Sequence, residues 1–282
     1  MPIPALAYAT IPGYGCHPCK SGGLRRAPAR AVRLTRVYVE TPLRAGSMVE
    51  LPPDTASHLA RVLRARSGDG VILFNGDGRE FDGAIEAVRG SRVSASVGDS
   101  RPVDRESPLA ITLVQCVPRG DRMDFIVQKA TELGVARIVP VLSQRSVVRL
   151  DPGQAESKTN HWRAVAVSAC EQCGRARLPA IESVRPLLNY LGDSTAGTGP
   201  RLVFEPQCEP HPPTAAPNPG TAMSAIVDAQ IAIGPEGGFT SDELEAFRVT
   251  GFSRVALGPR VLRAETAAIA AVVWLQARFG DM

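Results

Sequence analysis

The chain has 282 residues, is 44% hydrophobic and carries a formal net charge of +4, with nearly all of its cationic residues being arginine. This length fits one large or two modest domains. No apolar run approaches the ~20 residues of a membrane-spanning helix, so the composition excludes a membrane-embedded protein. The mildly basic charge permits a nucleic-acid partner without demanding one.

Cysteine spacing indicates a reduced protein. Two pairs have C-x-x-C spacing, but no second pair of ligands lies at zinc-finger distance from either pair. We therefore predict a cytoplasmic protein with no metal site. The six cysteines are Cys16, Cys19, Cys116, Cys170, Cys173 and Cys208.

Residues 1–31 have prolines and basic residues but no acidic residue and no periodic apolar face. This composition predicts disorder, because the segment cannot bury enough apolar surface to offset its ordering entropy. It could be a basic arm that helps to grip RNA, a transit peptide, or the product of a start site assigned too far upstream. We favour the last, with Val32 as the native start, because GTG codes for valine and also initiates translation in bacteria.

Residues 32–100 have the pattern of a small β-barrel. An Asn-Gly-Asp-Gly turn at 75–78, between two apolar runs, is a strong hairpin signal. Asp54 is placed to cap a short helix in which Leu59, Val62 and Leu63 share a face. The predicted strands are 36–40, 71–74, 80–88 and 91–97, and the predicted linker is 100–108.

Arginines are frequent on this small domain, which favours RNA contact, although a solvated surface would explain any single one of them. The predicted RNA contacts are Arg36, Arg61, Arg64 and Arg79 in the barrel, with Arg145 and Arg175 further along the chain.

Strands alternate with helices over residues 108–282, which predicts an α/β domain with a mostly parallel, buried sheet. No G-x-G-x-x-G or Walker motif occurs, so nothing supports a dinucleotide site or an ATPase. The predicted strands include 111–117, 135–142 and 202–205. The predicted helices include one ending at 133, then 161–173 and 265–279, with a proline-rich loop at 206–223.

Two neighbouring stretches, 231–239 and 257–267, each begin as an apolar strand and break at Gly-Pro. Gly237 and Gly238 allow a backbone to approach a ligand closely. Thr240 and Glu243 then have capping-box spacing for a helix. A strand, a glycine loop and a helix N-terminus form a ligand-binding unit at the carboxyl end of a sheet, so the two stretches predict one pocket with two walls.

Five segments resemble the RsmE family of 16S rRNA uridine N3-methyltransferases. They are Arg-Gly-Asp-Arg-Met-Asp (119–124), Gln-Lys-Ala-Thr-Glu-Leu-Gly-Val (128–135), Ala-Cys-Glu-Gln-Cys-Gly-Arg (169–175), Ile-Gly-Pro-Glu-Gly-Gly-Phe (233–239) and Leu-Gly-Pro-Arg-Val-Leu-Arg-Ala-Glu-Thr-Ala (257–267). The resemblance implies a PUA-like barrel and a SPOUT domain with a trefoil knot, a rare exception to unknotted topology. It also implies S-adenosylmethionine as cofactor, a homodimer, and 16S rRNA within an assembled small ribosomal subunit as substrate.

The resemblance places the cofactor on three loops. The implied contacts are Phe204, Glu205, Ile233, Gly234, Pro235, Gly237, Gly238, Leu257, Gly258, Arg260, Leu262 and Thr266.

Methylation at N3 requires loss of the N3 proton and stabilisation of charge on O2 or O4. The candidate catalytic residues are Arg119, Arg122, Arg263 and Glu265, although a glutamate at a helix N-terminus can simply complement the macrodipole. Three other functions stay open: ribose 2′-O-methylation by a related fold, a non-catalytic RNA-binding assembly factor, and a NAD-dependent enzyme.

Overall fold

The computed structural model describes residues 34–193, 198–206 and 226–282. The predicted extension over residues 1–31 and nearly all of the predicted loop at 206–223 lie outside the described residues. Residues Leu34–Met282 form one compact unit that contains two sheets.

The N-terminal part is built on a five-stranded sheet in the order β1-β3-β4-β5-β2. The β1–β3 pair is parallel, and the other pairs are antiparallel. The predicted hairpin is confirmed, because Leu73 of β3 pairs with Phe81 of β4 and the turn between them uses Gly76 and Gly78 at positive φ. The elements are β1 (Thr35–Tyr38), β2 (Met48–Glu50), α1 (Pro53–Arg61), β3 (Gly70–Phe74), β4 (Arg79–Arg89) and β5 (Arg92–Pro102).

The prediction for α1 was partly wrong. Its N-cap is Pro52 rather than Asp54, and no side chain caps it. The helix ends at Arg61 because Arg64 takes up a left-handed conformation, with φ of 52°. Leu59 is buried as predicted, whereas Val62 and Leu63 lie past the helix and are 65% and 48% exposed.

The C-terminal part is a seven-stranded sheet in the order β12-β10-β11-β6-β7-β8, with β9 also paired to β7. Every pair is parallel, as predicted. The strands are β6 (Ala110–Cys116), β7 (Arg137–Leu142), β8 (Ala180–Ile181), β9 (Arg185–Pro186), β10 (Arg201–Phe204), β11 (Asp228–Ile233) and β12 (Ser253–Val255). The helices are α2 (Arg122–Glu132), α3 (Pro152–Cys173), α4 (Leu187–Asp193), α5 (Ser241–Val249) and α6 (Ala264–Phe279).

Helices cover both faces of this sheet. Side chains of α2, α3 and α6 pack on one face in a core that includes Leu113, and side chains of α4 and α5 pack on the other in a core that includes Val114. Adjacent strand residues therefore point into different cores, as the two-residue period of a strand requires. Because the strands are parallel, their carboxyl ends meet at one edge of the sheet.

Helix α3 begins at Pro152, whereas the sequence interpretation placed its start near His161. The Asp151 carboxylate accepts a hydrogen bond from the Gln154 N–H at 2.8 Å, and the Gln154 side chain accepts one from the Asp151 N–H at 3.2 Å. The sequence Asp-Pro-Gly-Gln at 151–154 has the spacing of a capping box with proline at the first helical position, a signal that the sequence interpretation missed.

A buried charge network joins the two sheets. Glu80, only 1% exposed, pairs with Arg36 from β1, and Arg105 Nη1 donates to Glu80 at 3.0 Å and to the Gly174 carbonyl at 2.8 Å. The Arg36 Nη2 donates to the Arg175 carbonyl at 2.9 Å. The barrel is thus joined to the end of α3 by charge-assisted hydrogen bonds that converge on the buried Glu80 carboxylate and on the Gly174 and Arg175 carbonyls.

Candidate functional site

A cavity of about 270 Å³ lies at the carboxyl edge of the parallel sheet, where β10 and β11 end against the N-terminus of α6. Its walls are mostly apolar, as is usual for small-molecule sites. The lining residues are Phe204, Glu205, Pro206, Ile233, Gly234, Pro235, Glu236, Gly238, Phe239, Val261, Leu262, Arg263, Ala264 and Ala267.

The three loops predicted to hold a cofactor all contribute to this cavity. Seven of the twelve predicted contacts line it: Phe204, Glu205, Ile233, Gly234, Pro235, Gly238 and Leu262. The other five lie outside the lining: Gly237, Leu257, Gly258, Arg260 and Thr266. Of these, Leu257 packs against the main core instead.

The glycine loop between β11 and α5 is a tight turn in which the Gly238 N–H donates to the Pro235 carbonyl at 2.9 Å. Gly238 has φ of 66°, and a Cβ built on it would meet no atom within 4 Å. A Cβ on Gly234 would lie 3.1 Å from the Phe239 ring. Gly234 therefore permits packing, whereas Gly238 leaves open space for a ligand to approach the backbone.

Gly237 differs from its neighbour. A Cβ built on it would lie 3.3 Å from the Cβ of Arg145, so this position faces the loop after β7 and not the cavity. Arg145 Nη1 donates to the Gly237 carbonyl at 3.1 Å and to the Phe239 carbonyl at 3.3 Å. Arg145, predicted to contact RNA, thus holds the shape of the glycine loop.

The predicted capping box at the start of α5 is confirmed. Thr240 Oγ1 accepts from the Glu243 N–H at 3.3 Å, and Glu243 Oε2 accepts from the Thr240 N–H at 2.9 Å. Glu243 is buried, and its Oε1 also accepts from the Gln144 N–H at 2.8 Å. This carboxylate therefore ties the glycine loop to the loop after β7.

A charged cluster lies beside the cavity. Glu236 Oε1 accepts hydrogen bonds from Arg122 Nη1 at 2.7 Å and from the Arg119 backbone N–H at 3.3 Å. Arg122 Nε also lies 3.9 Å from Glu265 Oε1. Sequence reasoning missed Glu236, although it stands in the quoted glycine motif and is the one charged residue there.

The remaining predicted catalytic residue, Arg263, lies at the N-cap of α6 and lines the cavity. Its side chain and that of Arg119 form no ion pair with the residues that the structure describes. Glu205 lines the cavity but is paired with Arg254, whose Nε donates to it at 2.7 Å. Its charge is thus already neutralised by the protein.

The structure corrects two of the predicted RNA contacts. Arg36 is enclosed with Glu80 in the network between the sheets, where its side chain is 10% exposed. Arg175 is buried and donates from Nη1 to the Thr131 and Val135 carbonyls, both at 2.9 Å, and from Nη2 to Glu106 at 2.7 Å. Both guanidinium groups are occupied by protein acceptors and are not available to phosphates.

The exposed barrel arginines are not equivalent. Arg79 donates to Asp77 from Nε at 3.0 Å and from Nη2 at 2.6 Å, so its charge is offset. Arg61 and Arg64 are exposed and form no ion pair with any residue in the described ranges. Of the predicted barrel contacts, these two have the free charge that phosphate binding requires.

Comparison with known proteins gives the family. Residues 105–276 match the model of the RNA methyltransferase domain, and residues 51–97 match that of the RNA methyltransferase PUA domain. The ribosomal RNA small subunit methyltransferase E of Buchnera aphidicola is 30% identical over 250 residues, which cover 89% of this chain and 98% of the relative. The chain belongs to the ribosomal RNA small subunit methyltransferase E family.

Two solved structures agree with this assignment. A methyltransferase of Legionella pneumophila with bound S-adenosylmethionine is 36% identical, with a TM-score of 0.80 over 89% of this chain and all of the other. The Neisseria gonorrhoeae methyltransferase E, bound to S-adenosylmethionine, is 34% identical, with a TM-score of 0.76 over the same shares. The predicted family, fold class, enzyme class and cofactor are confirmed. Across the described residues, no helix is both long and apolar enough to span a bilayer.

Proposed function

We propose that the protein transfers a methyl group from S-adenosylmethionine to N3 of one uridine of 16S rRNA, within an assembled small ribosomal subunit. The observation that carries this proposal is the cavity at the carboxyl edge of the parallel sheet, with its glycine turn at one wall and Arg122, Glu236 and Glu265 beside it. The family membership of both domains supports it.

The cavity fits the cofactor by shape and polarity. Phe204, Ile233 and Leu262 provide apolar surface, and the open space over Gly238 lets a ligand reach backbone N–H and C=O groups. When bound, the cofactor supplies the methyl group as a sulfonium, which is already a strong electrophile. The protein therefore acts chiefly by orienting the reactants and excluding water.

Arginines beside the cavity have the charge needed to stabilise the methyl acceptor, the uracil base, as it loses its N3 proton. Uracil N3 is a poor nucleophile until its proton leaves, and the negative charge that then develops is shared with O2 and O4. Arg263 lines the cavity and Arg122 lies beside it, so both are placed to donate hydrogen bonds to such oxygens. Arg119, whose backbone N–H donates to Glu236, is the third candidate. A preformed cation stabilises the transition state more than the neutral base, which is the condition for catalysis.

The barrel supplies the RNA contacts of this proposal. Arg61 and Arg64 carry free charge on its surface, and the buried Arg36–Glu80 network holds the barrel in one orientation relative to the end of α3. Phosphate contacts on a rigidly held domain fix the register of the RNA. The target uridine must then leave its stack to reach the cavity.

The proposal includes a cytoplasmic homodimer, which the resemblance to the family implies. Sedimentation equilibrium of the purified protein tests the dimer: a mass near 60 kDa, about twice the 29.9 kDa of one chain, is expected. A mass that stays at that of one chain at micromolar concentration would contradict it.

Methyl transfer in vitro tests the reaction itself. The protein is incubated with labelled S-adenosylmethionine and small subunits from cells lacking the modification, and the rRNA is digested to nucleosides. Label in N3-methyluridine supports the proposal. Label in a 2′-O-methylated nucleoside indicates the alternative SPOUT reaction, and calorimetry that shows no cofactor binding indicates a non-catalytic RNA-binding factor.

A further inference from the structure

Three charged side chains meet where α2, the glycine loop and α6 come together. Arg122 Nη1 donates to Glu236 Oε1 at 2.7 Å, while Arg122 Nε lies 3.9 Å from Glu265 Oε1. The second distance is within range of an ion pair but too long for a hydrogen bond. One arginine thus faces two carboxylates, and the cluster carries one uncompensated negative charge beside a cavity that fits a cationic cofactor.

The two carboxylates have different surroundings. Glu236 has its donors from the α2 segment, the Arg122 guanidinium and the Arg119 N–H, and its side chain is 34% exposed. Glu265 is 17% exposed, and its Oε2 is buried with no hydrogen-bond donor among the residues the structure describes. A buried oxygen without a donor costs free energy, so it indicates a site whose partner comes from a ligand.

Charged groups near Glu265 are few. The helix α2 contributes Arg122, the glycine loop contributes Glu236, and α6 itself contributes Arg263 at its N-cap. Of the two strands that pack against α6, β6 has no charged residue, and the only one on β11 is Asp228 at its far end. The behaviour of Glu265 is therefore governed mainly by Arg122 and by whatever binds in the cavity.

We propose that these carboxylates have separate roles in the N3 methylation proposed above: Glu236 is the positioning residue for Arg122, and Glu265 accepts the N3 proton of the target uridine. Glu265 takes the proton, and the electron pair of the N3–H bond forms the new bond to the methyl carbon. The electron pair of the carbon–sulfur bond stays on sulfur. The charges of the carboxylate and the sulfonium cancel, and the proton later passes to water.

Two environments for two carboxylates are a known way to separate an ionic role from a proton-transfer role. The competing explanation is that Glu265, in the first turn of α6, only complements the helix macrodipole. That role would affect the melting temperature of Glu265→Gln and leave its methyl transfer unchanged.

The experiment compares Glu265→Gln, Glu236→Gln and a control, Glu245→Gln, which breaks an exposed pair with Arg248 on α5. For each variant, kcat and KM for small subunits are measured from neutral to alkaline pH, together with cofactor affinity by calorimetry and the melting temperature. Glu265→Gln should bind cofactor normally and lose about 10²–10⁴-fold in kcat at neutral pH. Its deficit should shrink at alkaline pH, where uracil N3 loses its proton to solvent.

Glu236→Gln should lose kcat, measured at saturating cofactor, by the same factor at every pH, because Arg122 rather than a base is disturbed. A Glu265→Gln variant that keeps its rate at neutral pH, or loses it by a pH-independent factor, would overturn the assignment of Glu265. A Glu236→Gln deficit in kcat that shrinks at alkaline pH, as that of Glu265→Gln does, would overturn its positioning role. Analysis of the methylated nucleoside distinguishes failure of the carboxylate roles from failure of the proposed function. A product other than N3-methyluridine refutes the proposed function itself.

Discussion

Arg145 and Gly237, which belong to different loops at the carboxyl edge of the sheet, are joined by a hydrogen bond of 3.1 Å from the guanidinium to the carbonyl oxygen. Because Arg145 also binds the Phe239 carbonyl, it fixes the backbone of the glycine loop on both sides of Gly238. Arg145→Ala should weaken S-adenosylmethionine binding about tenfold, the value of one hydrogen bond to a charged group. Calorimetry measures this directly.

Arg149→Ala is the matched control, since Arg149 is an exposed arginine of the same loop that does not line the cofactor cavity. Gly237→Val should act through the same contact, because its side chain would press on Arg145 rather than enter the cavity. The double variant should therefore lose little more affinity than either single one. Fully additive losses would show that Gly237 and Arg145 act independently.

RNA binding should depend on the barrel arginines that are free of carboxylates. Arg61→Ala and Arg64→Asn should each reduce by about 1 the slope of log affinity against log salt, because each removes one phosphate contact. Asparagine is chosen at position 64 because it tolerates the left-handed backbone there. Filter binding to small-subunit RNA at several salt concentrations gives the slopes.

Arg79→Ala is the comparison for these variants, because Asp77 already pairs with that guanidinium. We expect its slope to match that of the wild type. A larger loss for Arg79→Ala than for Arg64→Asn would contradict the assignment of the RNA surface.

Arg175→Ala tests the structural role that replaces its predicted RNA contact. The change removes the Arg175 donors from the Thr131 and Val135 carbonyls and from Glu106 Oε2. The Thr131 carbonyl keeps the Gly134 N–H, and Glu106 Oε1 keeps the Arg177 N–H. We expect the free energy of unfolding to fall by about 2–4 kcal/mol. Denaturant titration measures this free energy of unfolding. The control Arg248→Ala, which breaks an exposed ion pair, should change the free energy of unfolding little.

RNA affinity measured under conditions where Arg175→Ala is still folded should equal that of the wild type. A stable Arg175→Ala variant with weakened RNA binding would restore the predicted contact between Arg175 and RNA.

Cys173 should be the reactive thiol among the three described cysteines. A hydrogen bond from Cys170 lowers the pKa of Cys173 to about 6, with help from the Arg175 N–H and guanidinium. The same hydrogen bond together with burial raises the pKa of Cys170, and burial raises that of Cys116. The thiolate is the nucleophile, so Cys173 should be alkylated at neutral pH faster than Cys116 or Cys170, and its rate should fall as the pH is lowered.

Peptide mass spectrometry after brief iodoacetamide treatment measures the extent of alkylation at each cysteine. If the reaction at Cys173 rises only near pH 8.5, as for an ordinary thiol, the assignment is wrong.

The features predicted correctly from the sequence are those encoded locally. The hairpin turn at residues 75–78, the capping box of Thr240 and Glu243, and the apolar runs that become buried strands each depend on residues close together in the chain. Such signals act over a few residues, so they can be recognised without the fold.

Apart from the start positions of α1 and α3, the failures involve partners that are distant in sequence. Arg36 meets Arg175 across 139 positions, and Arg145 meets Gly237 across 92. An arginine that binds a phosphate and one that binds a buried carboxylate or carbonyl have the same sequence signature, because the guanidinium suits all three acceptors. Only the fold distinguishes them, and for the same reason Glu236 gained its role only when α2 was placed beside the glycine loop.

Methylation of uridine N3 in 16S rRNA is tested most directly by mass spectrometry of that rRNA from cells. A bacterial strain lacking its own methyltransferase E is complemented with this chain, and its 16S rRNA is cut into fragments and digested to nucleosides. We expect N3-methyluridine, absent from the deletion strain, to return at a single position with the wild-type chain and to fail to return with Glu265→Gln. A 2′-O-methylated nucleoside, or an unchanged nucleoside profile from a well-expressed protein, would contradict it.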